Sequence, residues 1–200
     1  MTRNLTPYDD FSQLRKLVEA MPLSEALAVV LAEQHAADGL WRFFSNQYPN
    51  GGVAKWNEAS SWKGNWEIHS QQFSAFGEDM FGNQLVIQTS SVNTFLWNHE
   101  NGELVDLLLD PVTLIETVCQ SGIDWIDFYN DRSLKVAREK LLDVPLECHL
   151  HWTTPLILGG QVNIGNTSTV ERAMHLRGHA KLWKQVAGVA PGTSVIIKKT

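Results

Sequence analysis

Seven histidines punctuate the chain, and four of them fall at spacings that suit metal or acid–base chemistry. His149 and His151 are two apart, so on a strand both imidazoles leave one face. His175 and His179 are four apart, so on a helix both lie on one side. Two such pairs would make a tetrahedral zinc site, or the three ligands and a water of a zinc-dependent hydrolase. Three features weigh against that chemistry. Leu176 and Arg177 follow His175, so there is no H-E-x-x-H; Arg177 and Lys181 would oppose a nearby cation; and nothing in the spacing makes the pairs meet. The expectation is that His149 and His151 lie on a strand face that does not receive His175 and His179, with no metal and no cofactor.

Other reactive groups are sparser. Cys148 precedes His149, but neighbours on a strand point to opposite faces and are not partners. The only other cysteine is Cys119, and no C-x-x-C occurs, which disfavours zinc knuckles and dithiol redox chemistry. Glu78 and Asp79 form a carboxylate pair suited to acid–base work or, more simply, to making a turn. There is no G-x-S-x-G, no P-loop and no G-x-G-x-x-G. These readings leave no catalytic residue to name, and the chain is expected not to be an enzyme.

The elements that must carry these residues follow from periodicity and turn chemistry. Two hundred residues with 44% hydrophobic and 19% charged composition make one globular domain, 1–200. Residues 1–55 read as a helical N-terminal part, with Pro7 at a helix start and a second helix carrying Leu27, Val30, Leu31 and Gln34 on one side. Residues 56–110 read as a meander. A Trp-rich irregular loop gives way to extended Phe73 to Phe76. A turn over 77–83 follows, then strands over 84–89, 92–98 and 103–109, with a hairpin loop at 98–102. Residues 111–200 return to helices and strands. Asp110 and Pro111 begin a helix, Ser133 caps another, CHLHW has strand composition, MHLRGHAKLWKQV has a helical period, and SVII near the end reads as a last strand. The fold class is α+β, a central antiparallel sheet flanked by N-terminal and C-terminal helices.

Charge is unevenly spread. Residues 64–131 hold eleven acids and no lysine or arginine, whereas residues 132–200 hold ten bases and four acids. An acidic block of this length repels phosphate backbones and attracts basic partners, so nucleic acid is excluded as a partner. If the block forms one face, Glu78, Asp79, Glu100 and Glu103 share it, because both turns bound the same meander. Trp56, Trp62 and Trp66 would stand at its edge as anchors of a protein interface; the alternative for these tryptophans is core. The longest apolar run, Ala26 to Ala32, is far shorter than a membrane helix, and the first residues have no h-region. No membrane association and a cytoplasmic location are expected.

The stretch FSAFGEDMFGNQLVIQTSSVNTFLWNHENGELVDLL, residues 73–108, resembles the SUKH superfamily, which contains a yeast cell-wall regulator and many bacterial immunity proteins. Phe76, Glu78, Asp79, Phe81, Gly82 and Asn83 match its first signature; Trp97, Asn98, Glu100, Gly102 and Glu103 match its second, with Asn101 where threonine is usual. Immunity families of type VI secretion systems have a similar meander and a later P-L-x-L-G-G, which PLILGG at 155–160 resembles. The resemblance implies a binding protein that neutralises a toxin domain, often a nuclease or deaminase. It implies structural roles for Phe76, Gly77, Phe81, Gly82, Asn83, Trp97 and Gly102. A regulator or scaffold of the same fold is the alternative.

Overall fold

The computed structural model describes residues 34–36, 40–44, 51–66, 73–88, 91, 93–121, 131–140, 143–190 and 192–197. The helices expected before residue 34 lie outside this set. Six strands form one antiparallel sheet in sequence order: β1 (Gln34–Ala36), β2 (Trp41–Phe43), β3 (Phe73–Asp79), β4 (Gln84–Gln88), β5 (Thr94–Trp97) and β6 (Leu104–Asp106). A two-stranded ribbon pairs β7 (Cys148–Trp152) with β8 (Thr167–Glu171). The helices are α1 (Gly52–Trp56), α2 (Pro111–Ser121), α3 (Asp131–Lys140) and α4 (Arg172–Val186). The α+β class and the antiparallel meander stand as the sequence predicts. None of these helices is long and apolar enough to cross a membrane.

Local chemistry accounts for several boundaries. Asp110 starts α2 by accepting from the amides of Val112 and Thr113, as an N-cap should. Glu171 caps α4 in the same way, accepting from Ala173 and Met174. Gly102 closes the β5–β6 hairpin at φ +69, donating its amide to the Asn98 carbonyl at 2.8 Å.

Both faces of the sheet are covered, so alternate residues enter different cores. Leu85 and Leu96 belong to a cluster with Phe43, Phe76, Phe81, Ile115, Val118 and Trp152. Val86 and Trp97 belong to a second cluster with Phe44, Trp56, Trp62, Trp66, Phe73 and Leu176. This second core is built from indoles. Trp62 stacks on Trp97 at 5.2 Å between ring centroids, and Trp66 meets Trp97 edge-on at 4.7 Å. Trp66 Nε1 donates to the Leu176 carbonyl of α4 at 3.1 Å.

Four expectations are corrected. Gln34 lies in strand β1, not on a helix, because β1 pairs with β2 in the register Gln34↔Phe43 and sheet pairing overrides a weak helical period. The Trp-rich segment is α1 and a 3-10 turn over Lys63–Asn65 rather than an irregular loop. Strand β3 runs on through Glu78 and Asp79, with a register shift between Ala75 and Gly77, so the turn is shorter than expected. SVII forms no strand: residues 193–197 pair with no described strand, and Ile196 is almost fully exposed. Strand β8 has no counterpart in the sequence reading.

Candidate functional site

The β3–β4 and β5–β6 turns lie at the same end of the meander, and α4 and β7 pack against that end. Asp79 builds the first turn. Its Oδ1 accepts from the Phe81 and Asn83 amides, both at 2.9 Å, and its Oδ2 accepts from Asn83 Nδ2 at 2.8 Å. Gly82 holds φ +95 there, as the turn chemistry predicts, and Phe81 is buried against Trp152. A Cβ on Gly82 would stand 2.6 Å from Nδ1 of His149. The glycine therefore serves two ends: the left-handed turn, and the close approach of the imidazole.

His149 begins a buried hydrogen-bonded chain. Its Nε2 lies 2.9 Å from Glu78 Oε2, and its Nδ1 lies 3.1 Å from His175 Nδ1. Glu78 is fully buried, ion-paired with Arg172 at 3.0 Å, and accepts from Gln84 Nε2. Gln84 in turn accepts from Trp56 Nε1 at 2.9 Å. The expectation that the two histidine pairs stay apart is overturned. Strand β7 brings His149 onto the helix face that carries His175, because the Arg172 guanidinium at the start of α4 and His149 share one carboxylate.

A residue absent from the sequence-based candidates completes the group. His99, in the β5–β6 hairpin, is buried and lies with His175 and His179 so that their ligating nitrogens are all within 4.8 Å of one another. The three rings meet edge to face, with centroids 4.6 to 4.7 Å apart. His99 Nδ1 is 3.0 Å from Asn83 Oδ1, which ties the second turn to the first. Glu100 points inward too, with Oε1 at 3.8 Å from His179 Nε2 and 4.0 Å from His99 Nε2. The His151 ring also lies near His175, at 5.5 Å between centroids, but its nitrogens are engaged by Ser168 Oγ and the Trp152 carbonyl. The signal for His99 was available: an i, i+4 histidine pair is half a site, few other histidines exist, and His99 alone of these precedes a glutamate.

Burial sets the charge states. It drives His99 and His175 well below the ordinary imidazole range, the neighbouring imidazoles adding to the effect, and it drives His179 to about 4. It pushes the Glu100 carboxyl up to about 7, against a smaller opposing pull from the Leu156 and Ile157 amides. The cluster thus presents neutral imidazoles at neutral pH.

The acidic face is also corrected. Glu78 and Asp79 are buried, and Glu100 is largely so; of the four turn acids only Glu103 is exposed. Trp56, Trp62 and Trp66 are buried in the second core, so they do not edge an exposed patch. For Glu78 and Asp79 the reason is that Arg172, His149, Gln84 and the turn amides supply partners inside the fold; for the tryptophans it is the covered second face of the sheet. Of the remaining motif residues, Phe76, Gly77 and Trp97 are buried and Gly77 approaches the Arg42 carbonyl closely.

No protein-family model matches this chain, and no curated protein matches it. The crystal structure of Atu4351 from Agrobacterium tumefaciens is similar, with a TM-score of 0.52 and 14% identity over 90% of this chain and 82% of that one. At that identity the likeness speaks to the fold alone.

Proposed function

We propose that this chain is a cytoplasmic protein-binding domain of the immunity type, one that neutralises a basic toxin domain by direct contact and catalyses nothing itself. The observation that carries this reading is Leu108. It is 78% exposed and holds φ +57, the left-handed region that a branched apolar residue avoids. A strained, exposed leucine costs the fold stability, and such strain persists where a site uses it. The turn is built to present it: the Leu108 amide donates to Asp106 Oδ1, and Asp106 is held from the other side by Asn93 Nδ2. Glu103 and Asp106, both exposed, put negative charge at the two ends of the short strand β6. An apolar anchor beside acids suits a basic partner, whose approach the charge would steer. The SUKH resemblance of residues 73–108 supports the same reading.

The test is to read the genes beside this one and to co-express the chain with any toxin domain encoded there. The native chain should restore growth. Leu108→Glu should fold normally and fail to protect, while Leu108→Gly should gain about 1 kcal/mol of stability and still lose affinity. Full protection by Leu108→Glu would remove this anchor. Failure of the native chain to bind any neighbouring-gene toxin would overturn the reading.

A further inference from the structure

We propose that His99, Glu100, His175 and His179 bind one divalent transition-metal ion of the zinc class, and that the ion staples the β5–β6 hairpin to α4. Three neutral imidazoles and one carboxylate are a donor set such an ion accepts. Donors round a tetrahedral zinc at about 2.1 Å stand roughly 3.4 Å apart. The nitrogens here lie within 4.8 Å of one another, and Glu100 Oε1 lies at 3.8 and 4.0 Å from two of them. Small inward rotations of the side chains close the set.

Two of the nitrogens in this group lack other partners. Nε2 of His99 and Nε2 of His175 are buried and close no hydrogen bond among the described residues, and Glu100 faces them with only the Leu156 and Ile157 amides pulling on its buried carboxyl. An unpaired buried nitrogen is costly, so two of them beside a buried carboxylate need a common explanation. A cation satisfies all of them at once.

The surrounding network prepares the lone pairs. Glu78 is an acceptor held by Arg172, so the proton between it and His149 sits on His149 Nε2. His149 Nδ1 then accepts from His175 Nδ1–H, which leaves His175 Nε2 as a bare lone pair. Asn83 makes the same choice for His99. Its amide nitrogen is committed to Asp79, so its oxygen faces His99 Nδ1–H and frees Nε2. Both arms follow the rule that a ligating imidazole donates its other nitrogen to a fixed acceptor. The cations expected to oppose a metal point elsewhere: Arg177 reaches the Ser61 carbonyl and Glu171, and Lys181 is exposed.

Four protein donors fill a tetrahedral shell and leave no position for water. The ion therefore holds elements together and activates nothing. This differs from a hydrolase built on the two histidine pairs, since His149 stands behind His175 as its support, and His151, though its ring lies 5.5 Å from that of His175, has its nitrogens on Ser168 Oγ and the Trp152 carbonyl.

The test uses the whole chain, stripped with a chelator and titrated with Zn²⁺ against a chromophoric competitor, with Co²⁺ as a spectroscopic substitute. One equivalent should bind, the melting temperature should rise with Zn²⁺, and Co²⁺ should give the intense visible bands of a four-coordinate ion. His179→Ala, outside the Glu78–His149–His175 chain, should keep the fold and weaken binding by roughly 100-fold, beyond the roughly 10-fold floor set by loss of an outer support such as Asn83→Ala. Glu100→Gln should weaken binding and change the Co²⁺ spectrum. His151→Ala should bind as the native chain does. A folded native chain that binds no more Zn²⁺ than His179→Ala, or a six-coordinate Co²⁺ spectrum indifferent to Glu100→Gln, would overturn the proposal.

Discussion

The two turns at the end of the meander carry similar acids and treat them oppositely. In the β3–β4 turn every carboxylate has its counterpart: Asp79 takes two amides and the Asn83 side chain, and Glu78 takes His149, Gln84 and Arg172. In the β5–β6 turn Glu100 is largely buried and His99 fully so, yet no lysine or arginine among the described residues is ion-paired with Glu100. The first turn is complete as a piece of structure. The second is complete only with something added. Buried polarity alone therefore does not mark a site; buried polarity left unmatched does.

Breaking this contrast should be easiest with acid. In metal-free buffer, an unfolded imidazole takes up its proton near pH 6.5, whereas His179 in the fold resists to about 4 and His99 and His175 lie well below the ordinary value. Below pH 6.5 the unfolded chain binds more protons, so these residues' stability contribution is whole above 6.5 and is lost as the pH falls toward 4. Glu100 acts in the other sense. Its carboxyl, near 7 in the fold against an ordinary 4.5, favours the fold at low pH and loses that advantage between 4.5 and 7. Three imidazoles outweigh one carboxyl, so urea midpoints should fall from pH 6.5 to 4.5. Midpoints that rise over that interval would contradict neutral buried imidazoles.

The next largest effect belongs to Glu78→Ala, which removes the carboxylate shared by the buried Arg172 and His149. It should cost about 3–5 kcal/mol in chemical denaturation. Gly82→Val follows, at roughly 1–3 kcal/mol for its backbone angle, with collision against the His149 ring added. The smallest change sharpens the comparison most. Glu100→Gln in the metal-free chain should alter stability at pH 7.5 by less than about 1 kcal/mol, and in the stabilising direction, because it removes a buried charge without a counter-ion. A large loss there would put Glu100 in the same class as Glu78.

What was legible in the sequence was whatever neighbours in the chain decide. Gly82 and Gly102 announced their turns, Asp110 announced α2, and the alternation of Leu96 with Trp97 announced a strand with two faces. The fate of the acids was not legible, because it depends on Arg172 and His149 arriving from elsewhere in the chain. The same holds for the histidines. Spacing showed that His175 and His179 share a helix face, but only the packing of α4 against the hairpin shows that His99 looks at them. The tryptophans were open between core and interface, and the second sheet face, covered by α1 and α4, settled them as core.

Those tryptophans give the molecule an optical property. Indoles stacked as Trp62 and Trp97 are, with Trp66 edge-on beside them, share their electronic excitation instead of absorbing as separate dyes. Trp66 is also tethered to the Leu176 carbonyl, the residue after His175. Any shift of that helix changes the angle between coupled transition dipoles, and with it the ultraviolet circular dichroism and the emission colour. The chain carries an unlabelled gauge of how firmly its histidine helix is seated.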